Sequence, residues 1–125
     1  MDITNIDHVV LTVSNLEVSL AFYTSVLGMK KEISAQGRVA LKFGMQKINL
    51  HEYGSEFNPH ANKPTPGSAD LCFLTTVPLN DAIAHVKRCD IEIVEGPVKR
   101  VGANGTITSF YIRDPDKNLI EIANS

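Results

Sequence analysis

Residues 6–28 read IDHVVLTVSNLEVSLAFYTSVLG, and this stretch decides the first half of the fold. Its opening is rich in β-branched residues and predicts a strand, and Ser14 and Asn15 can cap a helix that starts directly after them. Gly28 is a natural helix end, because glycine tolerates the left-handed backbone common there. The apolar stripe of this helix consists of Leu16, Leu20, Tyr23 and Leu27. The chain therefore begins with a strand and an amphipathic helix.

Three short strand candidates follow the helix. They are predicted at about 29–34, 38–43 and 46–52, separated by turn residues. The next stretch, 53–68, contains three prolines and two glycines, so it is neither a continuous helix nor a central strand. We predict a long loop there. Loops of this length in a compact domain are commonly lids over a site or linkers.

After the loop the same order of elements restarts. A strand is predicted at 69–75, and a helix follows with an apolar stripe at Leu79, Ala82, Ile83 and Val86. Further strands are predicted near 91–95, 106–112 and 118–123, with a hairpin tip at 102–105. The residue identity between the halves is slight, so the repeat is one of pattern.

The repeat predicts an α+β fold made of two tandem βαβββ units. Each unit alone would leave one face of its sheet uncovered. We therefore expect a concave, mostly antiparallel sheet around a cavity, with the helices outside. The chain is predicted to be a single domain over residues 1–125, with pseudo-repeats at about 1–52 and 69–125 joined by the loop 53–68.

The amino-acid composition of the chain argues against several classes of function. The chain has 125 residues, 43% of them hydrophobic, and a net charge of -2, so the basic surface of a nucleic-acid binder is not expected. No apolar run approaches the roughly 20 residues that cross a bilayer, and the first ten residues lack the features of a signal peptide. We expect a cytoplasmic protein with neither nucleic acid nor membrane as a partner. Cys72 and Cys89 show no metal-binding or redox spacing.

Polar side chains occur at matching strand positions in the two halves. Period-two alternation places His8 and Asp70 on the face away from the helix, and Asn49 and Glu121 on the same face near the end of each half. One imidazole, two carboxylates and one amide form a ligand set that divalent ions accept. His51 shares the face of Asn49, and it can replace Asn49 as a ligand or serve as an acid or base.

The two carboxylates are the strongest indication that a ligand binds on this face. Asp70 and Glu121 are flanked by apolar residues, and a buried unpaired carboxylate costs several kcal/mol. We therefore expect a cation or donor to face them. His60 and His85 have no other candidate ligand at a matching position, and they are expected to be solvated.

Three motifs stand out along the chain: HVVLTV at 8–13, SLAFYTSVLG at 19–28 and RDPDKNLIE at 113–121. Together they resemble the motifs of the vicinal oxygen chelate superfamily, which contains glyoxalases, bleomycin-resistance proteins and extradiol dioxygenases. Two further stretches are KINLHE at 47–52 and PGSADLCF at 66–73. Within the superfamily, they are similar to the glyoxalase domain-containing protein 5 branch and its virulence-associated bacterial relatives.

The resemblance implies a metal site and a small-molecule substrate. It maps the metal ligands to His8, Asn49 or His51, Asp70 and Glu121, around a divalent ion such as nickel, zinc, manganese, magnesium or iron. The implied activity is that of a lyase or isomerase of the lactoylglutathione lyase type, with Glu121 or His51 moving the proton. The alternatives are an extradiol dioxygenase and a non-catalytic small-molecule or antibiotic-binding protein.

A homodimer is expected, because members of the superfamily commonly dimerise and the sheets of a single chain have free edges. The loop 53–68, with Phe57 and its prolines, is predicted to be the lid over the site. Two residues depart from the pattern. Asp70 stands where the ligand is often His, which argues against ring cleavage by iron. Lys117 stands where the pattern usually has Gly, so strain is expected if its φ is positive.

Overall fold

The computed structural model describes all 125 residues and divides into two compact units, residues 1–66 and 67–125. Each unit contains a strand, a helix and three further strands in that order. The first unit holds β1 (His8–Val13), α1 (Leu16–Ser25), β2 (Lys30–Ile33), β3 (Val39–Phe43) and β4 (Gln46–Glu52). The second holds β5 (Asp70–Leu74), α2 (Leu79–Arg88), β6 (Glu95–Gly102), β7 (Gly105–Arg113) and β8 (Leu119–Asn124). The predicted α+β class and the two tandem βαβββ units are confirmed.

The first unit forms an open sheet in the order β1-β4-β3-β2. The β1-β4 pair is parallel, and the other neighbouring pairs are antiparallel. The alternation of side chains puts one apolar set on the face that α1 contacts, where Leu41 and Ile48 are buried together with Tyr23 of the helix. The helix begins as predicted, because the Asn15 side chain accepts a hydrogen bond from the Val18 backbone N–H.

The second unit forms an equivalent open sheet in the order β5-β8-β7-β6. Here β5 and β8 are parallel and the other pairs antiparallel. The α2 helix contacts β7 and buries Ala82 and Val86. Phe110, Ile112 and Ile120 have no exposed surface and form the core of this unit. The opposite face of each sheet carries the polar side chains.

One predicted strand is wrong. Residues 91–94 are not a strand, and β6 instead runs over Glu95–Gly102, through Gly96 and Pro97. Proline is tolerated there because β6 is the edge strand of its sheet. The register shifts between Glu95 and Val98, and Gly96 has φ 110°, in a place where a Cβ would lie 2.7 Å from the Ser109 carbonyl oxygen. The predicted hairpin tip is confirmed, with Gly102 paired to Gly105.

Residues of the motif RDPDKNLIE at 113–121 form the turn between β7 and β8 and fix its geometry. The Asp114 carboxylate accepts hydrogen bonds from the backbone N–H groups of Asp116 and Asn118, each at 2.9 Å, and from the Asn118 amide at 2.8 Å. The Asn118 side-chain oxygen accepts the Ala69 N–H at 2.8 Å and so fixes the start of β5 beside β8. Lys117 has φ 67°, so the expected strain is present. The turn residues of this motif therefore have structural roles.

Residues 53–69 contain no helix or strand, as predicted for the loop. Both helices have ten residues, and neither is long and apolar enough to cross a membrane.

Candidate functional site

The first unit carries three of the candidate ligands on the face of its sheet away from α1. In the β1-β4 register His8 lies opposite Lys47, while Asn49 lies opposite Val10. Asn49 is therefore a diagonal neighbour of His8, about 8 Å away by strand spacing and rise. His51 lies two residues further along β4, about 13 Å from the point opposite His8. Asn49 is thus the nearer partner of His8 within this sheet.

His8 is oriented by its sequence neighbour. Its side chain is 44% exposed, and its ring Nδ1 lies 2.8 Å from the Asp7 carboxylate. This hydrogen bond lowers the pKa of Asp7 below its ordinary value. A carboxylate on one ring nitrogen orients the imidazole and leaves Nε2 for a ligand.

His51 is enclosed by the loop. Its ring makes an edge-to-face contact with Phe57, at 5.6 Å between centroids, and the Arg38 guanidinium lies 4.7 Å from the centre of the Phe57 ring. Burial lowers the pKa of His51, and Nδ1 has no hydrogen-bond partner. A pocket of about 340 Å³ adjoins the ring, lined by Val10, Thr12, His51, Pro59, His60, Ala61 and Pro64. The loop therefore covers His51.

The second unit carries Asp70 and Glu121 on the corresponding face of its own sheet. Asp70 lies opposite Leu119, so Glu121 is its diagonal neighbour, as Asn49 is of His8. Glu121 stands between Cys72 on β5 and Tyr111 on β7. Its Oε2 atom is buried and has no hydrogen-bond partner. Asp70 is exposed, so the expectation of a buried carboxylate holds for Glu121 alone.

The Glu121 carboxylate affects the pKa of the neighbouring Cys72 thiol. Burial, the negative charge of Glu121 and a hydrogen bond with Glu121 raise the pKa of the Cys72 thiol to about 11. The thiol is therefore protonated at neutral pH, where it is a weak nucleophile.

The candidate ligands are divided between the two units. No three or more His, Cys, Asp or Glu side chains form a group that could hold a metal ion. The donors themselves suit a divalent ion, since imidazole and carboxylate are among its common ligands and the Glu121 Oε2 atom lacks a partner.

Sequence reasoning assigned no role in the site to four residues that lie near these groups, among them His60, which it expected to be solvated. Arg38 and His60 lie near His51, and their electrostatic interactions with it contribute to lowering the pKa of His51. Arg100 and Tyr111 lie around Glu121, and Arg100 donates to the Tyr111 hydroxyl at 3.1 Å. Alternation could have placed Tyr111 on the face of Glu121, but it gave no signal for Arg100, because the predicted strand ended at 95.

Comparison with known proteins gives a family for the chain. Residues 5–122 match the profile of the Glyoxalase/Bleomycin resistance protein/Dioxygenase superfamily. Virulence protein STM3117 of Salmonella typhimurium is 56% identical over 123 residues, which cover 98% of this chain and 85% of that protein. Its crystal structure matches with a TM-score of 0.97, covering 99% of this chain and 98% of that chain. Glyoxalase domain-containing protein RDO1 of Mycosarcoma maydis is 50% identical over 123 residues, covering 98% of this chain and 69% of that protein.

More distant solved structures share the fold. Lactoylglutathione lyase from Agrobacterium tumefaciens is 22% identical with a TM-score of 0.76, covering 100% of this chain and 96% of that chain. TnmS3, an antibiotic binding protein from Streptomyces sp. CB03234, is 19% identical with a TM-score of 0.75, covering 99% of this chain and 98% of that chain. One fold thus serves proteins described as an enzyme and as a binding protein.

Proposed function

Because this chain belongs to the glyoxalase/bleomycin resistance/dioxygenase superfamily, we propose that it is a metal-dependent lyase or isomerase of the glyoxalase type. Its substrate is a small molecule that binds the metal through two adjacent oxygen atoms. The observation that carries the proposal is the buried Oε2 atom of Glu121, which has no hydrogen-bond partner. A desolvated carboxylate oxygen is costly unless a cation or a reacting proton faces it.

The proposed ligands of the metal are His8, Asn49, Asp70 and Glu121. Asn49 is preferred to His51 because it is the diagonal neighbour of His8, in the relation that Glu121 has to Asp70. A bound divalent ion supplies Lewis-acid polarisation of the substrate oxygens.

Two residues are proposed to move protons. The Glu121 Oε2 atom takes a proton from the substrate carbon next to the carbonyl group and returns it to the neighbouring carbon. His51 is neutral at neutral pH because its pKa is lowered by burial, so it can accept a proton from a substrate hydroxyl group in the pocket under the loop. The loop with Phe57 is the proposed lid.

Metal content and turnover together test this function. We expect the purified protein to hold a divalent metal and to isomerise a hemithioacetal, with the activity lost in chelator. Glu121→Gln keeps the shape of the side chain and removes its base, so kcat should fall by about 10²- to 10⁴-fold. Glu92→Gln changes an exposed glutamate of the same unit and should leave kcat unchanged. A metal-loaded protein that is inert toward hemithioacetals contradicts the proposal.

The choice between Asn49 and His51 is tested separately. Asn49→Ala should lower the bound metal measured by elemental analysis, whereas His51→Ala should retain the metal and lower kcat. The reverse pattern would make His51 the ligand.

Two other functions are outcomes of the same measurements. Iron in the protein, with oxygen uptake in the presence of catechols, would indicate an extradiol dioxygenase. Stoichiometric binding of a small molecule without turnover, unchanged in Glu121→Ala, would indicate a binding protein of the kind that TnmS3 represents.

We also propose that the protein is a homodimer. β1 and β5 are edge strands of their sheets, and an edge strand can pair with a strand of another chain. Val10 on β1 is 48% exposed. A second copy that pairs with these strands would satisfy the edges and bury this apolar side chain.

A further inference from the structure

A pocket of about 510 Å³ lies on the polar face of the second unit, where Glu121 is placed. Arg100 is the one cationic side chain in its lining and Glu121 the one anionic side chain. Much of the remaining lining is apolar and comes from Leu74, Val101, Ala103 and Ile107. The pocket thus combines an apolar wall with one cationic and one anionic side chain.

Arg100 is held in place from several sides. Its Nε–H donates to the Tyr111 hydroxyl at 3.1 Å, and its Nη2 donates to the Glu95 carboxylate at 3.2 Å. Its Nη1 donates to the Lys99 carbonyl at 3.1 Å, and the guanidinium lies 5.6 Å from the centre of the Tyr111 ring. A guanidinium has five N–H donors, so two remain for a ligand. Its side chain is 40% exposed, which leaves it accessible.

The strand register brings this arginine into the neighbourhood of the proposed proton carrier. Tyr111 lies opposite Glu121 on one side and opposite Glu95 on the other. The hydrogen bond with Tyr111 is the largest cause that raises the pKa of Arg100, and the charge of Glu121 makes a smaller contribution. An anionic ligand beside Glu121 would be repelled by the carboxylate unless a cation faced it. Arg100 is that cation.

We propose that Arg100 binds a carboxylate group of the substrate, whose apolar part lies along Leu74 and Ile107. The substrate class is therefore a small organic acid. This inference rests on the proposed function, because it takes Glu121 to act on the same molecule. A planar guanidinium with fixed geometry suits a carboxylate, which it can bind through two hydrogen bonds. Arg100 is then the residue that selects acids over neutral molecules of the same shape.

Isovalerate and its neutral isostere isovaleramide are the probes that test this. They are titrated separately into the metal-free protein in chelator, and amide chemical shifts of Ile107 and Glu121 are followed by two-dimensional NMR. We expect isovalerate to bind at least about 10-fold more tightly than isovaleramide, since one charged hydrogen-bonded contact contributes about that factor or more. The chelator makes the result independent of metal-dependent turnover, so failure here is distinguishable from failure of the proposed function.

Three variants assign the effect to Arg100. Arg100→Gln should weaken isovalerate binding at least about 10-fold and leave isovaleramide unchanged. Lys99→Gln removes the same charge from the neighbouring position, whose side chain points to the other face of β6, and should change binding less than about 2-fold. Glu95→Gln breaks the ion pair but keeps the guanidinium, so binding should be retained. The NMR spectra report whether each variant is folded.

Three results would each overturn the inference. They are equal binding of isovalerate and isovaleramide, binding that Arg100→Gln leaves intact, and no shift of the pocket amides with either probe. If Arg100→Gln does not fold, weak binding by a folded Arg100→Lys variant supports the inference, because an ammonium group cannot form the paired contact, and unchanged binding refutes it.

Discussion

Lys117 holds the turn before β8 in the left-handed region, with φ 67°. A β-carbon in this region costs about 1–2 kcal/mol, while glycine loses more chain entropy on folding. We expect Lys117→Gly to raise the free energy of unfolding by about 0.5–1 kcal/mol in urea denaturation. Lys117→Ala is the control, since it removes the charge and keeps the β-carbon. An equal gain in both variants would show that the side chain, and not φ, sets the stability.

Cys72 offers a chemical test of the surroundings of Glu121. Its thiol pKa is about 11 against an ordinary 9.0, so at pH 8 the thiolate is about 100-fold scarcer than for an ordinary cysteine. In a Cys89→Ser background, with the protein kept metal-free by a chelator, we expect slow reaction with a disulfide reagent at pH 8 and a rate that rises with pH up to about 11.

Removing the charge of Glu121 should accelerate this reaction. Glu121→Gln lowers the pKa of Cys72 by removing a negative charge, whereas Asp70→Asn should have a smaller effect because the influence of Asp70 on this thiol is weaker. A Cys72 thiol that reacts at the rate of an ordinary cysteine in the wild-type background would contradict the described environment.

At the scale of elements, a row of lysines crosses the first sheet. Lys42 on β3 lies directly opposite Lys30 on β2 and Lys47 on β4, and like charges in such positions are destabilising. We expect Lys42→Glu to raise the free energy of unfolding by about 0.5–1 kcal/mol in low salt. Lys42→Gln should give a smaller gain, because it removes repulsion without adding attraction.

Salt dependence separates this electrostatic effect from side-chain packing. In about 1 M sodium chloride the screening length falls to about 3 Å, so most of the gain from Lys42→Glu should disappear. A gain that is independent of salt would rule out charge repulsion as its cause.

At the scale of the whole molecule, the proposed dimer predicts a sedimentation mass of twice the 13.7 kDa chain. Val10→Lys places a charge on the exposed side of the edge strand β1 and should shift the equilibrium toward the monomer. Met45→Lys is the control, since Met45 is 93% exposed and lies in the turn between β3 and β4, not on an edge strand. A wild-type protein that sediments as a monomer, or a Val10→Lys variant that remains as dimeric as Met45→Lys, would refute the proposed interface.

The repeat, the order of elements and the face on which the candidate ligands lie could all be predicted from the sequence. These properties follow from periods of 2 and 3.6 residues and from local turn chemistry, which a short window of sequence contains. His8 and Asn49 in one unit, and Asp70 and Glu121 in the other, lie on the polar faces as alternation predicted. The edge strand β6 was misplaced because Gly96 and Pro97 normally interrupt strands, whereas an edge tolerates them.

The other residues that surround these positions could be identified only from the folded chain. Phe57 reaches His51 by the closure of a long loop, and Arg100 reaches Tyr111 across a hairpin whose register contains a shift. Both contacts depend on distances set by backbone hydrogen bonds between separate segments, so no local pattern encodes them. Asp70 is exposed and the Glu121 Oε2 atom is buried, although both residues have apolar neighbours in the sequence. Their burial depends on which strands and side chains pack around them, and the sequence neighbours do not show this.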